Sequence, residues 1–339
     1  MAKLLSWIDN AKAICMICVF ILHSEAYYGF GSVSYGILFK PFYVNAFFFI
    51  SGYLFFGKWL NVSAITVEGG GYLKALENAV CRLMIPSLIF SVIVFIPKTV
   101  FHSEDLNIMS FVTHVFGGIS YWFTSALFVA QIVLLTLVVT LQRKDIWTYL
   151  LCSVFLFAIG WYLNCIRTDN NAEAFLPWFW KTGIEYTLFM ALGGVYMKYE
   201  DRIHARRKVI LTLSAVVYIV ATIMAFRGVG FQLMGLGGRC DLPGAIWIAS
   251  GIALIIALCR YIEHNRFLSF IGQNSIVFYF FSGVFPAFIG MVARRIFSDG
   301  NYIVTITVAA LSIALAWIAT MIINRYLPFL IDIRNIKRG

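Results

Sequence analysis

Charged residues are scarce in this sequence. Only 12% of its 339 residues are Asp, Glu, Lys or Arg, whereas an ordinary soluble domain contains about 25%. Hydrophobic residues make up 61% of the chain, and the mean hydropathy is +0.85. This composition excludes an ordinary soluble globular domain and indicates a membrane protein.

Acidic residues are the scarcer of the two charge classes, with 16 Asp and Glu against 26 Lys and Arg. Basic chains often bind nucleic acid, but here the cations are sorted between alternate connections, so we predict no nucleic-acid partner. A cytoplasmic amino terminus places most of the 26 on one side, which satisfies the positive-inside rule. The basic block RIHARRK at 202–208 is either such a topology determinant or a contact for anionic lipid or nucleotide.

No internal repeat, heptad pattern or low-complexity tract occurs, and no soluble domain is attached. The chain 1–339 therefore reads as a single transmembrane domain. Windows of about 20 apolar residues predict membrane-spanning helices. They lie at 11–28, 37–57, 83–98, 121–141, 147–164, 179–197, 209–226, 243–260, 269–290 and 302–324. We predict an all-α bundle of about ten helices in the cytoplasmic (inner) cell membrane, with both termini in the cytoplasm.

Cysteine is present, but its pattern does not favour a metal or redox site. The seven Cys residues lie mostly inside apolar runs, where a thiol behaves as a small hydrophobe. The C-x-x-C pair Cys15 and Cys18 falls inside the first predicted span. We expect no metal and no permanently bound cofactor.

The first predicted span carries a cation and an imidazole on one face. An ideal helix advances 100° per residue, so the eleven steps from Lys12 to His23 return to within about 20° of the same direction. The two groups lie about 16 Å apart along the axis. A polar side chain at this depth must be paired or hydrated. His23 is therefore either a structural histidine bonded between helices or a chemical group in a wet cavity.

Polar side chains at a similar predicted depth occur in other spans. They are Asn45, Ser125 and Glu185, and Trp122 lies near the outer end of span four. Each alone fits a structural role, and an interfacial belt would also place Trp122 there. Together they favour a cavity, with Asn45, Trp122 and Glu185 as candidate acceptor or cavity-lining residues.

Cations are predicted at the cytoplasmic end of the same passage. Lys12 and Arg82, which precedes span three, either anchor their helices at the membrane surface or hold the phosphates of a charged donor. The pattern predicts a passage with cations at its inner mouth and an imidazole near its outer end.

Five motifs follow one another along the chain in a recognisable order. They are Asp9 with Lys12 and His23, FFFISGYLF at 47–55, RLMIP at 82–86, WFTSALF at 122–128, and Gly272 with Ser275 and Tyr279. In this order and spacing they resemble the acyltransferase-3 family, part of the transmembrane acyltransferase superfamily. The similarity extends over essentially the whole chain.

The resemblance implies ten spans, an acyl-CoA co-substrate (usually acetyl-CoA) and transfer to a hydroxyl of a cell-envelope glycan or glycolipid. This sequence departs from the family at three places. Lys12 replaces the commoner Arg, residues 78–80 lack an additional Arg, and Ser282 stands where a His is frequent. Lys at position 12 keeps the positive charge but cannot donate the two parallel hydrogen bonds of an Arg guanidinium.

On this interpretation His23 is a general base, or a covalent acyl relay as the second mechanism, and Lys12 and Arg82 bind the donor. The alternative from another class is a transporter or flippase of an envelope glycan or lipid-linked substrate. An internal pseudo-repeat would favour it, and the sequence has none. A further alternative is a scaffold within a polysaccharide-export complex.

Overall fold

The computed structural model describes residues 6–29, 31–60, 71–102, 107–142, 145–165, 177–234, 240–297 and 299–334. This part of the chain is helical and contains no β-strand. In chain order the helices are α1 Ser6–Tyr28, α2 Gly36–Phe39, α3 Tyr43–Trp59, α4 Gly71–Ala79, α5 Ile85–His102, α6 Ile108–Val115, α7 Trp122–Leu141, α8 Ile146–Cys165, α9 Trp180–Lys198, α10 Glu200–Ala205, α11 Arg207–Phe226, α12 Leu242–Cys259, α13 Arg266–Gln273, α14 Ser275–Phe281, α15 Val284–Ile296 and α16 Tyr302–Tyr326. A π-helical turn, Val80–Met84, joins α4 to α5.

The all-α membrane architecture predicted from composition is confirmed. Within the described residues, 8 helical segments are long and apolar enough to cross a membrane. The count reaches 9 if α14 and α15, which meet at a bend of 41°, form one span. The remaining predicted span, 179–197, corresponds to α9, which is 19 residues long but is not among the segments that pass this test.

Helix α9 is less apolar because it faces protein. It packs most extensively against α3, and also against α8 and α7. Close approach of α3 and α9 depends on glycines in both helices: a Cβ on Gly52 would overlap the backbone of Met190, and one on Gly193 would overlap that of Phe49. A helix surrounded by other helices buries its polar groups in protein contacts. Its mean hydropathy can therefore be lower than that of a helix that faces lipid.

Helix α1 also lies inside the bundle. It contacts α13, α15, α16 and α3, and 61% of its apolar window is buried. The corresponding fraction is 17% for α11 and 22% for α8, so those helices present their apolar side chains to lipid. The candidate residues of the first predicted span therefore lie on a helix inside the bundle.

The third membrane segment begins earlier than predicted. The sequence places residues 59–82 in a connection, but helix runs from Gly71 through the π-helical turn and on to Pro97 as one segment of 27 residues. The residues 61–70 lie outside the described part of the chain. As a result Arg82 lies within this continuous helical segment and not in a loop before it.

Candidate active site

A cavity of about 390 Å³ lies between α1, α3, α7, α14 and the segment that carries Arg82. Along α3 it extends from Phe47 to Trp59, and along α7 from Phe123 to Leu135. Twelve residues of helix correspond to about 18 Å. The cavity is therefore an elongated passage parallel to the helices, with a length similar to the spacing of Lys12 and His23.

Cations cluster at one end of this cavity. Lys12, Lys58 and Arg82 line it, and the described lining residues include no Asp or Glu. The side chain of Arg82 is 71% exposed and Lys58 is also exposed, so this end is the open mouth. Three cations without a lining carboxylate favour a polyanionic ligand such as a phosphate or pyrophosphate.

The position of Arg82 follows from a proline four residues later. Pro86 has no N–H to donate to the carbonyl of residue 82, and its ring would crowd that carbonyl in a regular α-helix. The backbone widens instead into the π-helical turn, in which the Ile85 N–H bonds the Val80 carbonyl. Such single π turns are frequent at functional sites. The spacing of the RLMIP motif thus has a local structural reason.

His23 is held by a backbone carbonyl at the break between two helices. The ring Nδ1 lies 2.6 Å from the Ser282 carbonyl oxygen, at the break between α14 and α15. Pro286, four residues after Ser282, has no N–H to offer that carbonyl. A carbonyl only accepts, so Nδ1 must carry the proton, and in the neutral ring Nε2 is then the basic nitrogen.

The cavity does not reach His23 itself. Its deep end includes Tyr279 and Phe123, and the Phe123 N–H donates to the Tyr279 hydroxyl at 3.3 Å. Ser282, which accepts the bond from His23, is three residues beyond Tyr279, about one helical turn. Lys12 and His23 lie on the same unbroken helix α1. The structure thus places Lys12 at the mouth and His23 one turn past the deep end.

Asn45, Trp122 and Glu185 do not line this cavity. Asn45 is buried and its Nδ2 donates to the Pro41 carbonyl at 2.8 Å. The Trp122 ring contacts Phe123 and Phe179. Glu185 is buried between α8 and α9, where it packs against Gly160. A similar predicted depth therefore does not bring these side chains to one surface.

Sequence reasoning gave no role to two polar residues of the cavity wall, Lys58 and Gln131. The helical spacing of each residue from other lining residues could have predicted its place on the cavity wall. Lys58 is eleven residues from Phe47, so both share one face of α3. Gln131 is a polar residue inside the apolar run of α7, four residues from Leu127, which also lines the cavity.

The motif residues Asp9 and Gly272 join α1 to α13. A Cβ on Gly272 would overlap the Asp9 backbone, and the Gln273 Nε2 donates to Asp9 Oδ2 at 3.0 Å. Only glycine allows this approach of the two helices. Since Asp9 is one turn before Lys12, this contact fixes the face of α1 that meets the cavity.

The carboxyl-terminal segment contacts the mouth of the cavity. Asp332 Oδ2 lies 3.8 Å from Arg82 Nε, and Arg334 donates to Asp332 and, at 2.5 Å, to Asn78 Oδ1. The hydrogen bond from Arg334 lowers the pKa of Asp332, and Arg82 adds to the effect. The tail thus places a carboxylate beside one of the mouth cations.

The chain matches the model of a family described as Acyltransferase domain over residues 5–322, nearly its whole length. Comparison with curated proteins gave no match, and comparison with solved structures gave none. The family match covers α1 through most of α16, and so all the helices that build the cavity.

Proposed function

The chain belongs to the acyltransferase-3 family and is a membrane acyltransferase; on that premise we propose that it transfers acetyl from acetyl-CoA to a hydroxyl of a cell-surface polysaccharide or glycolipid precursor. The donor is cytoplasmic, the protein lies in the cell membrane, and both of its termini face the cytoplasm. The observation that carries the proposal is the arrangement on α1, where a cationic cavity begins at Lys12 and an oriented imidazole lies at His23.

The mouth of the cavity supports binding of the nucleotide end of the donor. Lys12, Lys58 and Arg82 provide positive charge on three different segments. Phosphates held there cannot enter the apolar interior without cost. The thioester end of an extended acyl-CoA can instead follow the passage toward Tyr279. Because the donor is a soluble cytoplasmic molecule, this mouth is the cytoplasmic end.

The orientation of His23 supports a role as general base. Its Nε2 takes the proton of the acceptor hydroxyl as that oxygen attacks the thioester carbon. The carbon–sulfur bond then breaks, and the imidazolium returns the proton to the departing CoA thiolate. General base catalysis of this kind contributes about 10²–10⁴ in rate. In the second mechanism Nε2 itself takes the acyl group and passes it outward.

Replacement of His23 tests the proposal. We expect His23→Ala to reduce acyl transfer by about 10²–10⁴-fold, measured with purified protein, labelled acetyl-CoA and isolated envelope glycan. His264→Ala is the control, because His264 is exposed and, among the described residues, bonds Ser269 Oγ alone. Wild-type turnover in a correctly inserted His23→Ala protein would refute the catalytic role.

The same preparation separates the enzyme from a transporter. Vesicles that contain the protein and the glycolipid, without any CoA, should show no movement of the glycolipid across the bilayer. Accumulation of label on the protein before the acceptor is added would identify the covalent relay. Translocation without CoA would instead support a flippase.

A further inference from the structure

A second cavity, of about 310 Å³, lies between α9, α11 and α12. Its wall is apolar and includes Phe189, Leu192 and Ile252. Phe49 lines it from α3, whereas Phe47 lines the first cavity. Residues two apart on a helix point in nearly opposite directions, so α3 separates the two cavities. We name the second one the lateral groove.

The lateral groove is long, narrow and open at its edge. Along α12 its wall runs from Ala249 to Arg260, which is eleven residues or about 16 Å. Ala249 and Arg207 are exposed, so the groove opens to the outside of the bundle. An apolar channel of this form, beside lipid-facing α11, suits a single hydrocarbon chain.

Polar side chains line only one end of the lateral groove. They are His204, Arg207, Arg260 and the hydroxyl of Tyr196. The guanidinium of Arg260 lies 4.6 Å from the centre of the Trp7 ring, near the start of α1. This end is therefore on the same side of the bundle as the amino terminus and Lys12, the side we assign to the cytoplasm.

The charge of Arg260 is already neutralised. It donates to Tyr196 at 2.7 Å and to the Glu200 carboxylate, which also accepts from Tyr53 at 2.6 Å.

Arg207 forms no ion pair with a described carboxylate, and its described contacts are with His204 and the face of Tyr261. Arg207 is thus the cation available to a ligand at this end.

His204 has an orphaned donor at the same end. Arg207 Nη1 lies 2.6 Å from His204 Nε2, and a guanidinium has only donors, so Nε2 accepts. The proton of the neutral ring is then on Nδ1. This atom is buried and has no hydrogen-bond partner in the described part of the chain. A buried donor without an acceptor is unfavourable, and a phosphate at this end, which presents several oxygens, would provide an acceptor.

We propose that the lateral groove binds an anionic phospholipid of the cytoplasmic leaflet, with one acyl chain along α12 and the headgroup phosphate at Arg207 and His204. The ligand chemistry follows from the groove itself, since an apolar channel ends at a cation and a hydrogen-bond donor. Basic clusters on the cytoplasmic face attract anionic lipid. The ligand chemistry does not depend on the proposed transfer reaction, and only the choice of leaflet rests on the orientation given under the proposed function.

Native mass spectrometry of the purified full-length protein tests the assignment. The probes are phosphatidylglycerol and phosphatidylcholine with identical acyl chains. We expect wild type to retain phosphatidylglycerol preferentially, and Arg207→Ala to weaken this binding about fivefold, the effect of one basic residue near a membrane surface. Arg206→Ala, the exposed neighbour that does not line the groove, should behave as wild type.

A second variant tests the channel without removing charge. Ala249→Phe fills the apolar end of the groove, opposite Arg260, and should reduce retention of both lipids. Equal retention of the two lipids by wild type would overturn the assignment. Equal losses in Arg206→Ala and Arg207→Ala would do the same, because the binding would then be a diffuse surface effect. Displacement of bound lipid by CoA or pyrophosphate would instead identify a nucleotide site.

Discussion

At the scale of single residues, the candidate site depends on groups whose partners lie far away in the chain. Lys12 lines the cavity with Arg82 and Lys58, and His23 bonds Ser282, 259 positions away. The substitution of Ser for the frequent family His at 282 does not remove this contact, since the backbone carbonyl is the acceptor. Any residue at 282 would present the same group.

Lys12 should contribute to donor affinity. Removal of one charged hydrogen-bonding group costs about 1.5–3 kcal/mol, so Lys12→Ala should weaken CoA binding about tenfold or more, measured by titration calorimetry. Lys74→Ala is the control, because Lys74 is exposed on α4 and does not line the cavity. Equal affinities for Lys12→Ala and wild type would remove Lys12 from the donor site.

At the scale of elements, glycines and prolines set the geometry of the site. Pro86 produces the π turn that carries Arg82, and Pro286 leaves the Ser282 carbonyl for His23. Gly52 lets α3 pack directly on the backbone of α9. Gly52 thus serves the close packing of these two helices. These residues act by shaping the backbone and not through side-chain chemistry.

Gly52→Ala should destabilise the bundle, because the new methyl would overlap the Met190 backbone, which cannot move aside as a side chain can. We expect a loss of about 1–3 kcal/mol or more, seen as reduced heat tolerance of the detergent-solubilised protein. On the same helix, Gly57→Ala meets only Met197 Cγ at 3.8 Å. It should be neutral or stabilising, and equal heat tolerance of the two variants would contradict the packing argument.

At the scale of the whole molecule, the first described helix and the last described segment both reach the cavity mouth. The tail residue Asp332 lies beside Arg82, while α1 supplies Lys12. The Arg82 side chain is 71% exposed and that of Asp332 is 18% exposed. Solvent on the Arg82 side weakens this pair, so it contributes little to stability, but the carboxylate opposes the binding of an anionic donor. The pKa of Asp332 is lowered, mainly by the hydrogen bond from Arg334, so the carboxylate stays ionised at a pH where an isolated Asp is already protonated. This effect is therefore present at neutral pH and is lost only in strong acid.

Asp332→Asn should strengthen donor binding at low ionic strength, by up to about fivefold, because an exposed ion pair is worth at most about 1 kcal/mol. The gain should disappear in high salt, which screens exposed charges. Asp145→Asn removes a paired carboxylate that does not line the cavity, the partner of Lys198 at 3.3 Å, and should leave CoA affinity unchanged. An unaltered affinity in Asp332→Asn at low salt would show that the tail does not oppose the donor.

Composition and hydropathy were enough to place this chain in a membrane and to predict its helical class. The helical period was enough to give the separation of Lys12 and His23 along one helix. Hydropathy and helical period are local properties, so they can be read without knowing which segments touch. The family motifs likewise identified an acyltransferase, which the match over residues 5–322 supports.

Which polar groups share a surface became visible only once the helices were packed together. The tertiary structure placed Lys58 beside Lys12 and Arg82, directed Glu185 toward Gly160, and brought Asp332 to the cavity mouth. These contacts join residues on different helices, and their partners depend on how the helices pack. The position of a residue in the sequence predicts its depth in the membrane. The packing of the helices decides which neighbours its side chain faces.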